Sequence, residues 1–545
     1  MEAKDILERY SALKSLHDGY WLAVWREVRR YVWPNYSDYK SEGGDRGADV
    51  PDSTAIEARA RLAAGMYAWM APPDQRWFEL QSADPVLAKN EEVNAFFAEC
   101  SRIVAEALAN SNWPGVLIDA LNQLACGLDA IIYCEDGGAE RILNFRNFPV
   151  ETVCYAENAS RKVDTIFREV SMTARQCLQL FSKDDLPPSI RADAENPAKK
   201  DTAKRILHAV FPRSDRDGTM LDQKNMPVAE VYIDLDSKHI IREGGYREFP
   251  FAVCHFERSD NETYGRGPGI NMLPNIKMLC RIYEAYVLGA EREVDPSTLA
   301  PDGSIVGSEY NRDPGSLIFY KPDLGGAKPE LLPIHANLSG RYQDIKEEQD
   351  RIKRGFFWDI FDPLGDLKQI TATEAEIRNE GKMIPFAPIA GNLHSDLFRV
   401  IIHRAFAIVA RRGLLPEPPA ELAQKPDYKV EFVSKIARAI RKLESLAWIQ
   451  TEATLANVAQ LDPSILDNFD LDAVVRDIAS ANGANPKWIK SAKDRDAIRE
   501  ARQQQQQAQA GAEMMMNAAG ALGQNLGKAP EKGSALDAVM NGKTV

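Results

Sequence analysis

The sequence predicts a mainly helical α+β protein, on three observations. Two helix-patterned segments, residues 270–293 and 340–358, flank a Pro/Gly-rich insertion. A run of short β-rich segments lies between residues 130 and 257. Through most of the rest of the chain, apolar residues recur at helical intervals. At 545 residues the chain is long enough for several cores, and length alone suggests about three domains.

Taken in order, residues 2–33 read as an amphipathic helix carrying Ile6, Leu7, Tyr10, Leu13, Leu16, Tyr20, Val24 and Val28. Trp33-Pro34 stops it, because the position before proline disfavours helix. After a polar loop, Asp52 or Ser53 caps a second helix with Ile56, Ala60, Ala63, Ala64 and Tyr67 on one stripe. Small residues on that stripe suggest close helix packing. Pro72-Pro73 ends it, and residues 76–80 read as a short strand. Helices are expected over 90–110 and 113–124. Strands follow at 130–134, 142–145, 163–170, 205–211, 228–234, 239–242 and 251–256, interrupted by a helix at 173–181. Residues 186–201 read as an exposed insertion.

The central stretch opens with the turn Tyr264-Gly265-Arg266-Gly267-Pro268-Gly269. In the helical segment after it, Leu273, Ile276, Cys280, Tyr283, Val287 and Ala290 alternate at spacings of three and four. Tyr342, Ile345, Gln349, Ile352 and Phe356 do the same in the second segment. Each set makes a narrow apolar seam opposite a wide charged face, as in helices that pack on neighbours while staying wet. Two ordinary surface helices fit the same pattern. A Gly/Pro loop spans 359–370. Residues 371–413 are then helical with interruptions at Pro385 and Pro388, opened by a capping box of Thr371 with Glu374 or Thr373 with Glu376. Gly413 and Pro416 form the stop. Helices are expected over 435–459 and 471–481. Past Ala501 the composition turns to Gln, Ala, Gly and Met, which reads as partly helical at best and then disordered.

Composition narrows the function. A formal charge of −13 argues against a general nucleic-acid coat, which needs a basic surface, but leaves room for local basic contacts. Seven scattered cysteines without a CxxC read as free thiols in a reducing compartment. The segment from Met1 to Asp5 carries no hydrophobic signal region, and no apolar run approaches membrane-spanning length, so a soluble protein made inside the cell is expected.

Little in the chain looks catalytic. There is no GxxxxGK[ST], and Gly265, Gly267 and Gly269 lack the GxGxxG spacing, so they read as shaping a turn into a helix. The seven histidines show no HxH, HExxH or Cys/His clustering. Glu374, Glu376 and Glu380 are explained by the helix dipole. Arg26/Arg29/Arg30, Arg438/Arg441/Lys442 and Lys487/Lys490/Lys493 read as solvated helix faces. No catalytic residue, metal or cofactor is expected, and the protein is read as a non-enzyme.

Several stretches together resemble one family, the portal or head-to-tail connector proteins of short-tailed bacteriophages. They are Ala60-Arg61-Leu62-Ala63-Ala64-Gly65-Met66 with Pro72-Pro73 and Trp77-Phe78-Glu79-Leu80; the turn at 264–269 with Leu273-Pro274-Asn275-Ile276-Lys277; Thr371-Ala372-Thr373-Glu374 with Arg378 and Glu380; and residues 404–419, ending Gly413-Leu414-Leu415-Pro416-Glu417-Pro418-Pro419. Their order and spacing carry the resemblance, over roughly residues 5–420.

The resemblance implies a phage portal fold with wing, stem, clip and crown, assembling into a dodecameric ring at one capsid vertex. Residues 1–269 would be wing, 270–293 and 340–358 the two stem helices, and 294–339 the clip. Residues 359–370 would be the tunnel loop, 371–433 the wing helix and return segment, 434–500 the crown, and 501–545 a largely disordered tail. Implied partners are double-stranded DNA in the channel, the large terminase subunit of the packaging motor, major capsid and scaffolding proteins, and a tail adaptor, with no membrane. The implied location is the virion, after assembly in the host cytoplasm. Lys368 with Gln369, then Lys353 and Arg354, are the candidates for touching DNA phosphates; Asp362 and Asp366 stand close enough in sequence to neutralise Lys368. A tail adaptor or other capsid-associated ring protein is the alternative. Adaptors are usually much shorter and lack the helix–insertion–helix arrangement.

Overall fold

The structure is a computed structural model that describes residues 2–36, 47, 50–73, 75–220, 222–299, 330–331, 338–361, 384–423, 427–434, 470–481 and 492–526. The chain separates into two compact units, Met1–Arg441 and Lys442–Val545.

In the first unit the N-terminal helix is two helices, α1 (Ala3–Leu16) and α2 (Leu22–Val32), joined by a π-helical turn at His17–Trp21. The sequence reading had one continuous helix there. The turn is anchored from outside the helix by the Val150 carbonyl, which His17 Nε2 meets at 3.1 Å, while Nδ1 meets the adjacent Asp18 Oδ1 at 2.7 Å. The residue that a π turn adds re-aims the chain beyond it, and Trp21 and Trp25 both lie in the core. Helices α3 (Thr54–Met70), α4 (Glu91–Ala109) and α5 (Trp113–Cys126) follow, with strand β1 (Phe78–Ser82) between α3 and α4. Asn90 caps α4 by accepting from the Glu92 N–H at 2.9 Å.

The β-rich region forms two antiparallel sheets. One is the three-stranded β3-β2-β9 (Leu143–Phe148, Ala130–Asp136, Phe251–Cys254). The other is a five-stranded meander of β4 (Val153–Glu157), β5 (Val163–Thr173), β6 (Ala203–Pro212), β7 (Val228–Asp234) and β8 (Ile240–Tyr246). The sequence reading missed β4, which follows directly on a 3₁₀ turn at Val150–Thr152. Alternation along β6 serves two packing surfaces. Leu207, Ala209 and Phe211 join Ile6 and Tyr10 of α1, while Ile206 joins a cluster with α6 (Ala174–Leu180) and α7 (Pro188–Glu195). Residues 186–201 are therefore not simply an exposed insertion. Leu186, just before α7, and Ile190 within it are buried beside Phe181 and Tyr232.

A long helix follows, α8 (Pro268–Val294), then a two-residue strand pair β10 (Thr298–Leu299) with β11 (Glu330–Leu331), and α9 (Leu338–Gly355). The capping boxes at Thr371 and Thr373 lie outside the described residues. Ala387–Asn392 forms α10, and a second π turn at Leu393–Phe398 leads into α11 (Arg399–Arg411), which Gly413 ends at φ +68°. The chain then returns as β12 (Tyr428–Phe432) to pair antiparallel with β1, Phe78 opposite Phe432. Thus the strand predicted near residue 76 finds its partner hundreds of positions away. The helix expected at 435–459 lies outside the described residues.

In the second unit α12 (Leu471–Ala481) and α13 (Ala492–Leu526) are tied by a fork, Arg499 Nη1 and Nη2 donating to Asp472 at 2.6 and 2.7 Å. The stretch from Ala501 to Leu526 is thus helical, where its composition had suggested mostly disorder. Its Ala and Gln content is compatible with helix, since both residues have good helix propensity.

Candidate functional site: the helix pair that brackets the insertion

The start of α8 is set by a buried hub that the sequence scatters over four places. Asp129 is 1% exposed and accepts from the Gly265 N–H at 3.1 and 3.2 Å, from Tyr155 OH at 2.7 Å, and meets His255 Nδ1 at 2.7 Å. Tyr155 OH also reaches the Thr263 carbonyl at 3.1 Å. Burial pushes the Tyr155 and Tyr264 phenols well up, so both stay neutral hydrogen-bonding groups. Through these bonds the Asp129–His255 pair and Tyr155 clamp the backbone at Gly265. This fixes where the chain turns into α8.

The three glycines of that turn act through closeness, and none of them adopts a positive φ. A Cβ on Gly267 would stand 2.9 Å from the Gly127 Cα, and one on Gly269 would stand 2.3 Å from the Cys126 carbonyl oxygen. The C-terminal end of α5 therefore abuts the N-terminus of α8, backbone on backbone. Gly127 itself ends α5 at φ +88°, where glycine carries no steric penalty.

Helices α8 and α9 lie antiparallel. Met272 faces Gly355, Asn275 Nδ2 donates to Glu348 Oε2 at 3.2 Å, and the Tyr286 and Tyr342 rings are 6.5 Å apart. Of the seam residues, Leu273, Ile276, Cys280, Ile345, Ile352 and Phe356 are buried. Tyr283, Ala290 and Gln349 are half-buried. Val287 and Tyr342, in the hairpin's far half, are 38% and 50% exposed. The inward position between Ile345 and Ile352 belongs to Glu348, 5% exposed, where the spacing had suggested Gln349. Glu348 tolerates burial because Asn275 and Arg351 both donate to it. Gln349 instead turns to Asp52, donating at 2.7 Å. Burial pushes the Cys280 thiol up to about 11, leaving it a packing group.

The far end of α9 is an unusual stop. Phe357 N–H donates to the Arg354 carbonyl and Trp358 N–H to the Lys353 carbonyl, both at 3.0 Å, which is the Schellman pattern. Its left-handed position, normally glycine, holds Phe357 at φ +57°. For a bulky residue that conformation costs about 1–2 kcal/mol. The ring offsets it by packing against Phe256 and Phe386 at 6.0 and 5.8 Å. Phe361 packs on Phe386 at 5.5 Å, and its ring fills the space a side chain on Gly65 would need. Trp358 lies under two cations, Arg61 Cζ at 4.1 Å and Lys353 Nζ at 5.6 Å from its ring centroid. The chain on both sides of residues 362–383 is thereby held at one aromatic cluster.

Of the residues singled out for DNA, Lys353 and Arg354 occupy the last turn of α9, Arg354 exposed and Lys353 half-buried over Trp358. Lys368 and Gln369 lie outside the described residues. Among the described residues, no group of three or more His, Cys, Asp or Glu side chains is placed to hold a metal, and no helix is long and apolar enough to cross a membrane.

Residues 3–489 match the family model described as bacteriophage head to tail connecting protein. The chain belongs to this family. As a head-to-tail connecting protein it is similar over almost its whole length to two curated phage proteins. One is a probable portal protein of Bordetella phage BPP-1, 28% identical over 517 residues, covering 93% of this chain and 92% of the relative. The other is a portal protein of Salmonella phage epsilon15, 26% identical over 534 residues, 96% and 94% respectively. In this connector two of the stretches that carried the resemblance serve the helix pair: Gly65 touches Phe361 and Arg61 covers Trp358 just past α9, and the 264–269 turn seats α8. Asp129, His255, Tyr155, Phe357 and Trp358 went unnoticed in the sequence. Only Gly265 and Gly65, both within resembling stretches, pointed towards them.

Proposed function

We propose that this chain is a portal subunit that forms a dodecameric ring at one vertex of the phage capsid. Double-stranded DNA passes through the ring's centre during packaging and again during ejection. Helices α8 and α9 form the stem, and residues 294–339 form the clip, which meets the large terminase subunit during packaging and a tail adaptor afterwards. Major capsid and scaffolding proteins surround the ring, which assembles in the host cytoplasm and ends in the virion. The observation that carries this reading is the near-full-length similarity to two proteins named as portals. The antiparallel α8–α9 pair supports it, since it delivers both ends of the insertion to the same place. So do the exposed apolar residues on that pair, Met278, Val287, Leu288 and Tyr342, which offer a neighbouring copy something to bury.

The mechanism is mechanical. A ring repeats every side chain around its axis, so each subunit's charge counts many times over. An acidic chain, −13 overall, releases few counterions on meeting DNA and lets the duplex slide. Rings of Lys353 and Arg354, and of Lys368 in the tunnel loop at 359–370, would hold phosphates transiently. The test is the mass and symmetry of the purified protein, by light scattering and class-averaged electron microscopy. A ring with a central channel is expected. A monomer or dimer that persists at high concentration and across salt would overturn the reading.

A further inference from the structure

The return strand β12 is held at both ends by a histidine. Its alternate residues Tyr428, Val430 and Phe432 share one face, and the last two are buried. The His394 ring, in the π turn before α11, lies flat on Phe432, with centroids 4.0 Å apart and planes 6° from parallel. At the strand's other end His403 Nδ1, on α11, meets Tyr428 OH at 2.8 Å, and the two rings are 4.9 Å apart.

Both contacts suit uncharged rings. His394 Nε2 is buried without a hydrogen-bond partner. A proton there would make it a buried donor with no acceptor. Neutral His403 with its proton on Nε2 accepts the Tyr428 hydroxyl, whereas the protonated ring can only donate. The charge acting on both rings is Arg399, which stands between them along the helix. Burial, helped by Arg399, lowers both histidines, His394 to about 4.

The acids of the surrounding elements are engaged elsewhere or turned away. Glu248 takes Arg404 and Arg411, Asp136 on β2 takes Arg412, and Asp396 in the π turn accepts from Ser395 Oγ. Lys429 and Glu431 alternate with the inward residues, so they occupy the other face of β12, where Glu431 is opposite Glu79 of β1. Burial keeps the thiols of Cys254 on β9 and Cys100 on α4 neutral.

We propose that His394 and His403 form an acid-labile latch on β12. Protonating the pair loosens the return strand from α11 and β1, while the two sheets and the α8–α9 pair stay closed. The opening is local because, among the described residues, β12 pairs with one strand over five positions, whereas β5, β6 and β7 are each paired on both sides. Since both rings lie below the ordinary histidine value when the strand is closed, the opened strand binds more protons in acid. The latch is complete above about pH 6.5 and fades as pH falls towards about 4. No part of this rests on the portal reading.

The test is hydrogen–deuterium exchange of the full chain at about pH 7 and about pH 4.5, corrected for intrinsic exchange and read by mass spectrometry. Peptides over residues 427–434 are expected to lose at least about thirtyfold more protection than peptides over β6. In the double variant His394→Phe, His403→Gln, a ring stays on Phe432 and Tyr428 keeps an acceptor. There the excess is expected to shrink below about threefold. Parallel loss in both regions of wild type, or an undiminished excess in the variant, would overturn the latch. Should the variant not fold, exchange at the histidine C2–H positions of wild type titrates each ring separately. His394 is expected to titrate near 4 and His403 below the ordinary histidine value. An ordinary midpoint for either ring would refute the proposal.

Discussion

Gly265 approaches Asp129 so closely that a Cβ on it would stand 2.6 Å from Oδ1, while its N–H is shared between both carboxylate oxygens. Substituting Gly265→Ala is therefore expected to pry the turn off its clamp and cost about 2–4 kcal/mol. Urea denaturation measures this; an unchanged midpoint would mean the turn is not seated on Asp129.

Two other glycines separate backbone contact from side-chain contact. At Gly269 the obstacle is the Cys126 carbonyl, which cannot move without dislodging α5, whereas at Gly355 it is the flexible Met272 thioether. Gly269→Ala is expected to destabilise by about 3 kcal/mol or more, and Gly355→Ala by under about 1 kcal/mol, because methionine repacks and alanine favours helix. Paired thermal melts distinguish them.

At Phe357 the usual order of alanine and glycine should reverse. Both Phe357→Gly and Phe357→Ala lose the ring's packing on Phe256 and Phe386, but only alanine pays for the left-handed backbone. The glycine variant is expected to be the more stable of the two by about 1 kcal/mol. Equal midpoints would place the residue outside a Schellman stop.

Acid should weaken the layer around Glu230. Burial alone would raise its pKa, but hydrogen bonds from His208, Tyr246 and Arg242 outweigh it and hold the carboxyl at about 2. Because the folded pKa lies below the unfolded one, the unfolded chain binds more protons between about pH 4.5 and 2. Stability from this group is complete above that window and fades as pH falls through it, by about 3 kcal/mol in all. Glu230→Gln is expected to start less stable at neutral pH and to show a shallower loss over that range. Parallel pH profiles for both proteins would contradict the assignment.

If the exposed apolar residues of the hairpin meet a neighbouring copy, Leu288→Glu will separate assembly from folding. Leu288 is 52% exposed, so its loss should leave the subunit's melting temperature within about 1 °C. Ring formation, followed by mass measurement over a concentration series, is expected to fall by about tenfold or more.

Much of the fold was legible because its signals are local. Periodicity gave α4, α5 and α12 to within two residues and placed the four strands β5–β8, with ends off by up to four, and Gly413 marked the end of α11. Where the reading failed, the deciding partner was distant. The π turn at His17 answers to the Val150 carbonyl, and Glu348 is admitted to the core by Asn275 on another helix. The clamp on α8 draws on residues 129, 155, 255 and 265, which share no motif. A phenylalanine in the left-handed slot leaves no trace in sequence at all, since that slot is normally recognised by glycine.

The antiparallel course of α8 and α9 bears on how this protein can change over time. Because the chain leaves α8 and rejoins α9 at the same end, with Thr298 paired to Leu331 at the base, what lies between behaves as a cassette. Lengthening such a segment costs little, since closure entropy grows only slowly with length. On the proposed function, residues there can be exchanged wholesale to suit a different attachment surface while Met272 still meets Gly355. Evolution, or an engineer, can retarget one end of the molecule and leave the rest of its architecture unedited.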